Sequence, residues 1–162
     1  MSEKKDTRSG LRFDRQFTKE GISPFEMFEY DYRTSVIKNT TGEIVFQMDN
    51  VEVPKQWSQI ATDILAQKYF RKAGAPQQDG SLGRETSVKQ VAHRMANCWR
   101  VWGERYGYFA SFDDAQIFCE ELVYSILIQA CVPNSPQWFN TGLYESYGIK
   151  GKPREDYYVD AV

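Results

Sequence analysis

Residues 111–142 read SFDDAQIFCEELVYSILIQACVPNSPQWFNTG, and this stretch decides the fold because a helix signal and a helix-stopping loop meet in it. Ser111 followed by Asp114 is a helix-start pattern, since a serine at that place accepts a hydrogen bond from the backbone three residues on. Apolar residues then recur at three- and four-residue steps, which predicts one broad buried helix face: Ala115, Phe118, Cys119, Leu122, Val123, Ile126, Leu127 and Ala130. Pro133 is predicted to stop this helix.

The run 133–142 (PNSPQWFNTG) combines two prolines, three amide side chains and two aromatic rings in one turn. Prolines restrict the residue before them, so Asn134 and Ser135 are predicted to be extended or turned, with their polar side chains projecting. Buried polar side chains without partners cost stability, so those of this run are solvated, satisfied locally or available to a ligand. Turn chemistry alone is the structural alternative.

Upstream of residue 111 the chain predicts a β-hairpin followed by helices. Two β-rich runs, 34–38 and 43–48, bracket an Asn/Gly turn, and residues 51–53 form a candidate third short strand. A first helix is predicted to begin at Pro54, because apolar residues recur at helical spacing from there to Gly74. The fold class is therefore α+β and mainly α-helical.

A glycine- and proline-rich loop is predicted over residues 74–84, and a second helix after it. That helix begins near Thr86 or Ser87, where Ser87 and Gln90 form a capping-box pattern, and it continues to Gly107. Residues 1–16 are rich in charge and are predicted to be a disordered leader.

Composition excludes several classes of function. The chain has 162 residues, enough for one domain, and its net charge is −2, with 20 basic against 22 acidic residues. That balance predicts no nucleic-acid polymer and no membrane surface as partner. The sequence shows neither a long apolar span nor a signal-peptide pattern, so we expect a cytoplasmic protein.

The three cysteines and the one histidine do not form a recognisable metal or catalytic site. Cys98, Cys119 and Cys131 lack the spacing of a zinc site, and the odd count argues against a disulfide scaffold. Cys98 and Cys119 are interpreted as small core residues. Cys131 directly precedes the 133–142 run and could be a nucleophile or radical carrier, but nothing nearby supplies an activating base, which favours a structural role. His93 has no ligand or base partner at suitable spacing. We assign no catalytic and no metal-binding residue.

Two further groups of residues have an ordinary structural interpretation. The acidic pairs 113–114 and 120–121 are interpreted as a charged helix face, because adjacent residues point to different parts of a helix surface. A base-stacking platform could be formed by Trp99, Trp102, Tyr106, Tyr108 and Phe109, but the helical spacing of the first three and the lack of net positive charge favour core packing.

The 133–142 run resembles the substrate loop of adenosylcobalamin-dependent (class II) ribonucleotide reductases. Residues 69–74 (YFRKAG) and 83–85 (GRE) are also similar to segments of that family's N-terminal region. The resemblance extends from about Phe17 to about Asp160, yet it covers only the front of such an enzyme. It implies that Ser135 contributes to the substrate site, with loop-shaping candidates Asn134, Asn140, Thr141 and Gly142.

The resemblance also implies what the complete enzyme contains. The family has a ten-stranded α/β barrel, in which adenosylcobalamin generates a cysteine radical that reduces the ribose of a ribonucleoside diphosphate for DNA synthesis. Those cysteines, the acid/base groups and most cofactor contacts are expected beyond Val162. Residues 17–142 would be a helical N-terminal domain with its hairpin, and residues 143–162 an extended tail toward the barrel.

The chain alone is therefore expected to be inactive. Its implied partners are the ribonucleotide substrate and the remainder of the reductase barrel, and a homodimer is also compatible with the resemblance. Two alternatives stay open. One is a non-catalytic interaction module that docks onto a separately encoded reductase barrel, and the other is an unrelated small helical domain.

Overall fold

The computed structural model describes residues 9–77 and 79–150, and it confirms an α+β fold with a β-hairpin followed by helices. In chain order the elements are β1 (Tyr30–Lys38), β2 (Ile44–Pro54), α1 (Gln59–Ile64), β3 (Ala75–Pro76), β4 (Leu82–Gly83), α2 (Val88–Arg105), α3 (Phe112–Leu127), α4 (Ser135–Asn140) and α5 (Leu143–Tyr147). A 3-10 turn (Pro24–Met27) precedes β1, and a π-helical turn (Leu65–Tyr69) extends α1. Within the described ranges, no helix has both the length and the apolar character needed to cross a membrane.

The core lies where α2 and α3 pack against each other and against the end of β2. Helix α2 begins at a capping box, in which Ser87 accepts from the backbone and the Gln90 side chain accepts the backbone N–H of Ser87, as predicted. Helix α3 begins at Ser111, whose Oγ accepts the N–H of Asp114 at 3.1 Å, again as predicted. Their apolar faces bury a shared cluster that includes Val91, Ala92, Met95, Ala96, Val123, Ile126 and Leu127, together with Val51, Val53 and Trp57.

The second strand of the hairpin is longer than predicted. Residues 51–53 are not a third strand but the end of β2, which pairs with β1 along its length. A bulge between the pairs Arg33–Val51 and Ser35–Met48 adds one residue to β2, and Asn50 there adopts a positive φ of 57°. The extra residue reverses the alternation of the strand, so Met48 and Val51 are both buried although they are three positions apart.

The first helix begins later than predicted. Pro54 is the last residue of β2, where it pairs with Tyr30, and α1 instead starts after Ser58. The Ser58 Oγ accepts the N–H of Ala61 at 3.1 Å, which makes Ser58 the true N-cap. The predicted loop 74–84 also contains a small hairpin, in which β3 pairs with β4.

Residues 9–16, predicted to be part of a disordered leader, instead pack along α3. Leu11 pairs with the backbone beside Phe109, and Phe13 donates its N–H to Asp114 Oδ1 at 2.8 Å. Arg15 forms an ion pair with Glu120. Three of the four acidic residues of these pairs, Asp114, Glu120 and Glu121, therefore bind the N-terminal segment, whereas Asp113 is exposed as predicted for a charged helix face.

Glu121 holds the next part of the N-terminal segment. Its carboxylate accepts backbone N–H groups of residues 16, 17 and 18, the last at 2.8 Å, and the hydroxyl of Thr18. Partial burial opposes ionisation of Glu121, but the hydrogen bonds from Thr18 and the neighbouring N–H groups outweigh it, so the pKa lies below its ordinary value of 4.5.

The C-terminal part of the described chain is more helical than predicted. Helix α3 ends at Leu127, well before Pro133, because Gln129 takes a positive φ of 60° and the N–H groups of residues 130 and 131 both donate to the Ser125 carbonyl. The run predicted as a loop forms α4, with a proline in its first turn. The predicted extended tail begins with α5, and its residues 151–162 lie outside the described residues.

The predicted core packing of the α2 aromatics holds for one of the three. Trp99 packs against the core, whereas Trp102 and Tyr106 are exposed. The Trp102 indole N–H donates to the Glu145 carboxylate at 2.9 Å, so this ring covers α5 rather than the core. Helical spacing alone cannot distinguish these two surroundings.

Candidate functional site

A cleft of about 440 Å³ opens between α1, the end of α3 and the start of α4. Its walls are mainly apolar, and none of the described residues that line it is charged: Trp57, Ala61, Ile64, Leu65, Tyr69, Ile126, Gln129, Cys131, Val132, Pro133, Asn134, Ser135 and Trp138. Mainly apolar clefts of this size with a few polar groups commonly bind small organic molecules. The cleft is therefore the candidate functional site.

Ser135 and Asn134, which the sequence singled out, both line this cleft and are exposed. Ser135 is the first residue of α4, between Pro133 and Pro136, and its Oγ lies 3.1 Å from the Tyr69 hydroxyl. Asn134 precedes the helix in extended conformation, and its side chain makes no capping hydrogen bond. Both side chains can therefore face a molecule in the cleft.

Trp138 forms the rigid base of this wall. Its ring is buried and stacks on Tyr69 at a centroid distance of 5.4 Å, and its indole N–H donates to the Pro133 carbonyl at 2.7 Å. The side chain thus joins the two ends of the 133–138 turn. Trp138 and Pro133 therefore have a structural role in this run. Ser135 and Asn134 make no comparable structural contact among the described residues.

Asn140, Thr141 and Gly142 lie outside the cleft lining. Asn140 is exposed at the end of α4, and the Thr141 hydroxyl donates to the Gln137 side chain. Gly142 has φ of +80°, and a Cβ there would lie 1.9 Å from the carbonyl oxygen of Arg94. Only glycine permits this approach, so Gly142 lets the chain turn against α2 between α4 and α5.

A buried ion pair that the sequence patterns did not predict ties α4 to α2. Arg94 and Glu85 are both 0% exposed, with Arg94 Nε donating to Glu85 Oε1 at 2.7 Å. Arg94 also donates to the carbonyls of Trp138 at 2.6 Å and Thr141 at 2.7 Å. The available signal was an arginine on the apolar face of α2, beside Met95, where a charge requires a buried partner.

The Glu85 carboxylate accepts two further hydrogen bonds. The backbone N–H of Arg71 donates to Oε2 at 2.7 Å, and the Tyr147 hydroxyl donates to Oε1 at 2.8 Å. Burial, with the Glu85 charge beside it, raises the pKa of Tyr147 far above its ordinary value, so this phenol remains a donor. The segments 69–74 and 83–85, which carried the resemblance, thus meet at one carboxylate that also anchors α5.

The second cleft, of about 420 Å³, lies between the 3-10 turn and helices α2 and α3. It contains His93, whose pKa is lowered by burial and by the charge of Arg100. Cys119 also lines it, and burial raises the pKa of this thiol to about 11. Burial likewise raises the pKa of Cys98 to about 12, so both thiols remain protonated at neutral pH.

The part of the chain that the structure describes contains no group of three or more His, Cys, Asp or Glu side chains able to hold a metal ion. Cys131 lines the first cleft, and within the described ranges the residues lining that cleft include no base.

Comparison with known proteins assigns the sequence to a family. The family profile described as class II vitamin B12-dependent ribonucleotide reductase matches residues 31–129, from β1 to the end of α3. Similar curated proteins, each named vitamin B12-dependent ribonucleotide reductase, come from Bradyrhizobium diazoefficiens (42% identity), Agrobacterium fabrum (40%) and Rhodopirellula baltica (37%). These alignments cover 93%, 93% and 89% of this chain.

The chain spans only about 14% of the length of each of these relatives. Within that span the similarity includes both segments that meet at Glu85 and the hairpin that supports the core. The family profile and the identity over nearly the whole chain show that this chain belongs to the class II vitamin B12-dependent ribonucleotide reductases and corresponds to their N-terminal domain.

Proposed function

We propose that the chain is the N-terminal portion of a cytoplasmic, adenosylcobalamin-dependent ribonucleoside-diphosphate reductase, and that it forms one lip of the nucleotide site. Such an enzyme is an oxidoreductase that replaces the ribose 2′-hydroxyl with hydrogen, and it supplies deoxyribonucleotides for DNA synthesis. The names of the relatives and the 14% share of their length support this proposal. Its partners would be the ribonucleotide and the remainder of the reductase, with a homodimer as the proposed assembly.

The observation that carries the proposal is the position of the Ser135 hydroxyl at the rim of the uncharged cleft. Pro133 and Pro136 stiffen the backbone on both sides of it, and α4 is tied to α2 through Arg94. A hydrogen bond from this hydroxyl therefore requires little additional ordering when a ligand binds. Asn134 offers a second polar group beside it, and Gly142 and Thr141 shape the backbone that presents both.

The charge of the cleft indicates which part of a nucleotide it would contact. A phosphate group requires cationic side chains or several N–H donors, and among the residues that the structure describes, the cleft lining includes no Arg or Lys. A ribose is neutral and offers hydroxyl oxygens as acceptors, which suits a mainly apolar wall with Ser135 and Asn134 at its rim. The proposal therefore assigns the sugar to this lip and the phosphates to the rest of the enzyme.

The rim of the cleft also exposes apolar surface. Ile64 is 41% exposed and Val132 67%, and both line the cleft, while Phe139, 42% exposed, packs against Tyr69 of the lining. Exposed apolar side chains grouped around a cleft are a feature of surfaces that meet another protein element. We propose that the remainder of the reductase packs against this exposed apolar rim.

The cobalamin itself does not fit the described part of the chain. A corrin ring with its nucleotide tail is much larger than either cleft, which enclose about 420 and 440 Å³. His93 is the sole histidine, and it lies in the cleft away from Ser135. We therefore assign the cofactor contacts to the remainder of the enzyme and derive no step of the reaction from this chain.

The test is Ser135→Ala in the complete reductase. Leaving a ligand oxygen without its hydrogen bond in a desolvated site costs about 1–3 kcal/mol, so kcat/KM for the ribonucleotide should fall about five- to a hundredfold. Cobalamin binding and thermal stability should stay close to wild type, because the side chain loses one oxygen at an exposed position. His93→Gln, in the other cleft, is the control and should change little.

An unchanged kcat/KM in Ser135→Ala would contradict the substrate assignment. A drop of several degrees in thermal midpoint without a kinetic defect would also contradict it, because it would show that the hydroxyl serves only to hold the turn.

A further inference from the structure

Tyr69 is placed to control the direction of the Ser135 hydroxyl. It ends the π-helical turn Leu65–Tyr69, which departs from the regular α-helical spacing of α1, and π-helical turns are frequent at functional sites. Its hydroxyl lies 3.1 Å from Ser135 Oγ, across the rim of the cleft. The two residues are far apart in sequence, so only the tertiary fold brings their oxygens together.

The Tyr69 ring is held from two sides. It stacks on Trp138 with a centroid distance of 5.4 Å and an angle of 24° between the planes, and it contacts the Phe139 ring at 5.2 Å. Trp138 is in turn fixed by its hydrogen bond to the Pro133 carbonyl and by Arg94, which binds the Trp138 carbonyl. The phenol oxygen therefore has a fixed place relative to the backbone of Ser135.

The chemistry of the two hydroxyls assigns the direction of their hydrogen bond. A phenol is a stronger acid than an aliphatic alcohol, so the Tyr69 O–H is the better donor and Ser135 Oγ the better acceptor. With one lone pair of Oγ occupied in this way, the serine proton avoids the phenol and is available to a molecule in the cleft. An isolated serine hydroxyl would instead rotate among several orientations.

We propose that Tyr69 is a positioning residue. It does not contact the substrate itself, and it orients the Ser135 hydroxyl as a donor to a ribose oxygen. This inference rests on the proposed function, since it requires Ser135 to contact the nucleotide. The inference adds a residue from the segment 69–74. The family resemblance of that segment assigned no chemical role to Tyr69. Tyr69 would act on substrate binding and orientation through Ser135 alone.

The test is a double-mutant cycle in the complete reductase with Tyr69→Phe, Ser135→Ala and the double variant. Phenylalanine keeps the ring that stacks on Trp138 and removes only the hydroxyl. Tyr69→Phe should lower kcat/KM about two- to tenfold, the range that corresponds to one neutral hydrogen bond. In the Ser135→Ala background the same substitution should produce no further loss.

Tyr106→Phe is the matched control, because Tyr106 is exposed and is not among the described residues that line the cleft. It should leave kcat/KM unchanged. The thermal midpoint of Tyr69→Phe should stay within about 1 °C of wild type, which separates positioning from a general loss of structure.

Additive losses in the double variant would overturn the inference, because Tyr69 would then act independently of Ser135. It would also be overturned if Tyr69→Phe matched wild type while Ser135→Ala was impaired, and that outcome would leave the proposed function intact. A neutral Ser135→Ala would contradict the proposed function and the inference together, so the two failures are distinguishable.

Discussion

Arg94→Met tests whether the buried ion pair holds α4 and α5 on the rest of the domain. Methionine is unbranched, has a high helix propensity and matches much of the arginine's length, so α2 itself should persist. The substitution removes the guanidinium from Glu85, which is 0% exposed, and from the carbonyls of Trp138 and Thr141. The Glu85 carboxylate then keeps only the N–H of Arg71 and the Tyr147 hydroxyl.

The magnitude follows from these contacts. Removing one partner of a buried ion pair costs about 3–5 kcal/mol, because the other charge is left without compensation in the protein interior. Two carbonyls also lose a charge-assisted donor. We therefore expect the free energy of unfolding to fall by about 3–5 kcal/mol, a large part of the roughly 5–15 kcal/mol that stabilises a typical domain.

The assay is urea unfolding of this chain followed by tryptophan fluorescence, with amide exchange of residues 138–147 as a local measure. Arg100→Met is the matched control on the same helix. Arg100 pairs with Glu104 one turn away at a half-buried position, where such pairs contribute only about 0.3–0.5 kcal/mol.

A loss below about 1 kcal/mol in Arg94→Met would refute the reasoning. The double variant Glu85→Gln with Arg94→Met adds a second criterion. It removes the unpaired charge, so it should be more stable than Arg94→Met alone. If it is less stable, the cost does not come from an uncompensated Glu85.

Two further predictions concern the backbone and the N-terminal segment. Gly142→Ala should lower the free energy of unfolding by more than about 2 kcal/mol, because φ is +80° and the new Cβ would lie 1.9 Å from the Arg94 carbonyl oxygen. Gly148→Ala, at φ +67° in open space, should lose only about 1–2 kcal/mol, and equal losses in urea unfolding would contradict the role of the close approach. Glu121→Gln should reduce amide protection at residues 16–18, measured by NMR exchange. The pKa of Glu121 is lowered from 4.5, so the stabilisation that its carboxylate gives to residues 16–18 is complete above that pH and is lost as the pH falls through the folded-state pKa. Acid should therefore remove amide protection in wild type and change it little in the variant.

The starts of α2 and α3 and the turn of the hairpin could be predicted because each depends on neighbouring residues. Ser87 with Gln90, and Ser111 with Asp114, satisfy backbone groups within one helical turn. The hairpin turn is similarly local, since the Asn39 side chain accepts the N–H groups of Thr41 and Glu43. Local hydrogen bonds of this kind are encoded in short patterns.

The extent of β2 and the start of α1 could not be predicted in the same way. Met48 and Val51 have opposite parity, so one regular strand could not bury both side chains. Pairing with β1 tolerates the extra residue as a bulge at Asn50, and it continues to Pro54. A pairing partner distant in sequence therefore decided both boundaries.

The sequence by itself determined the helices that local signals start, the hairpin and the family, and it singled out Ser135 and its neighbours as candidate site residues. Only the tertiary structure showed that Ser135 begins a helix, that Tyr69 faces it, and that Glu85 and Arg94 hold that helix on α2. The physical reason is that these contacts join segments with no periodic or local relation. Their energies come from burial and from charge pairing, which exist only after the chain has folded.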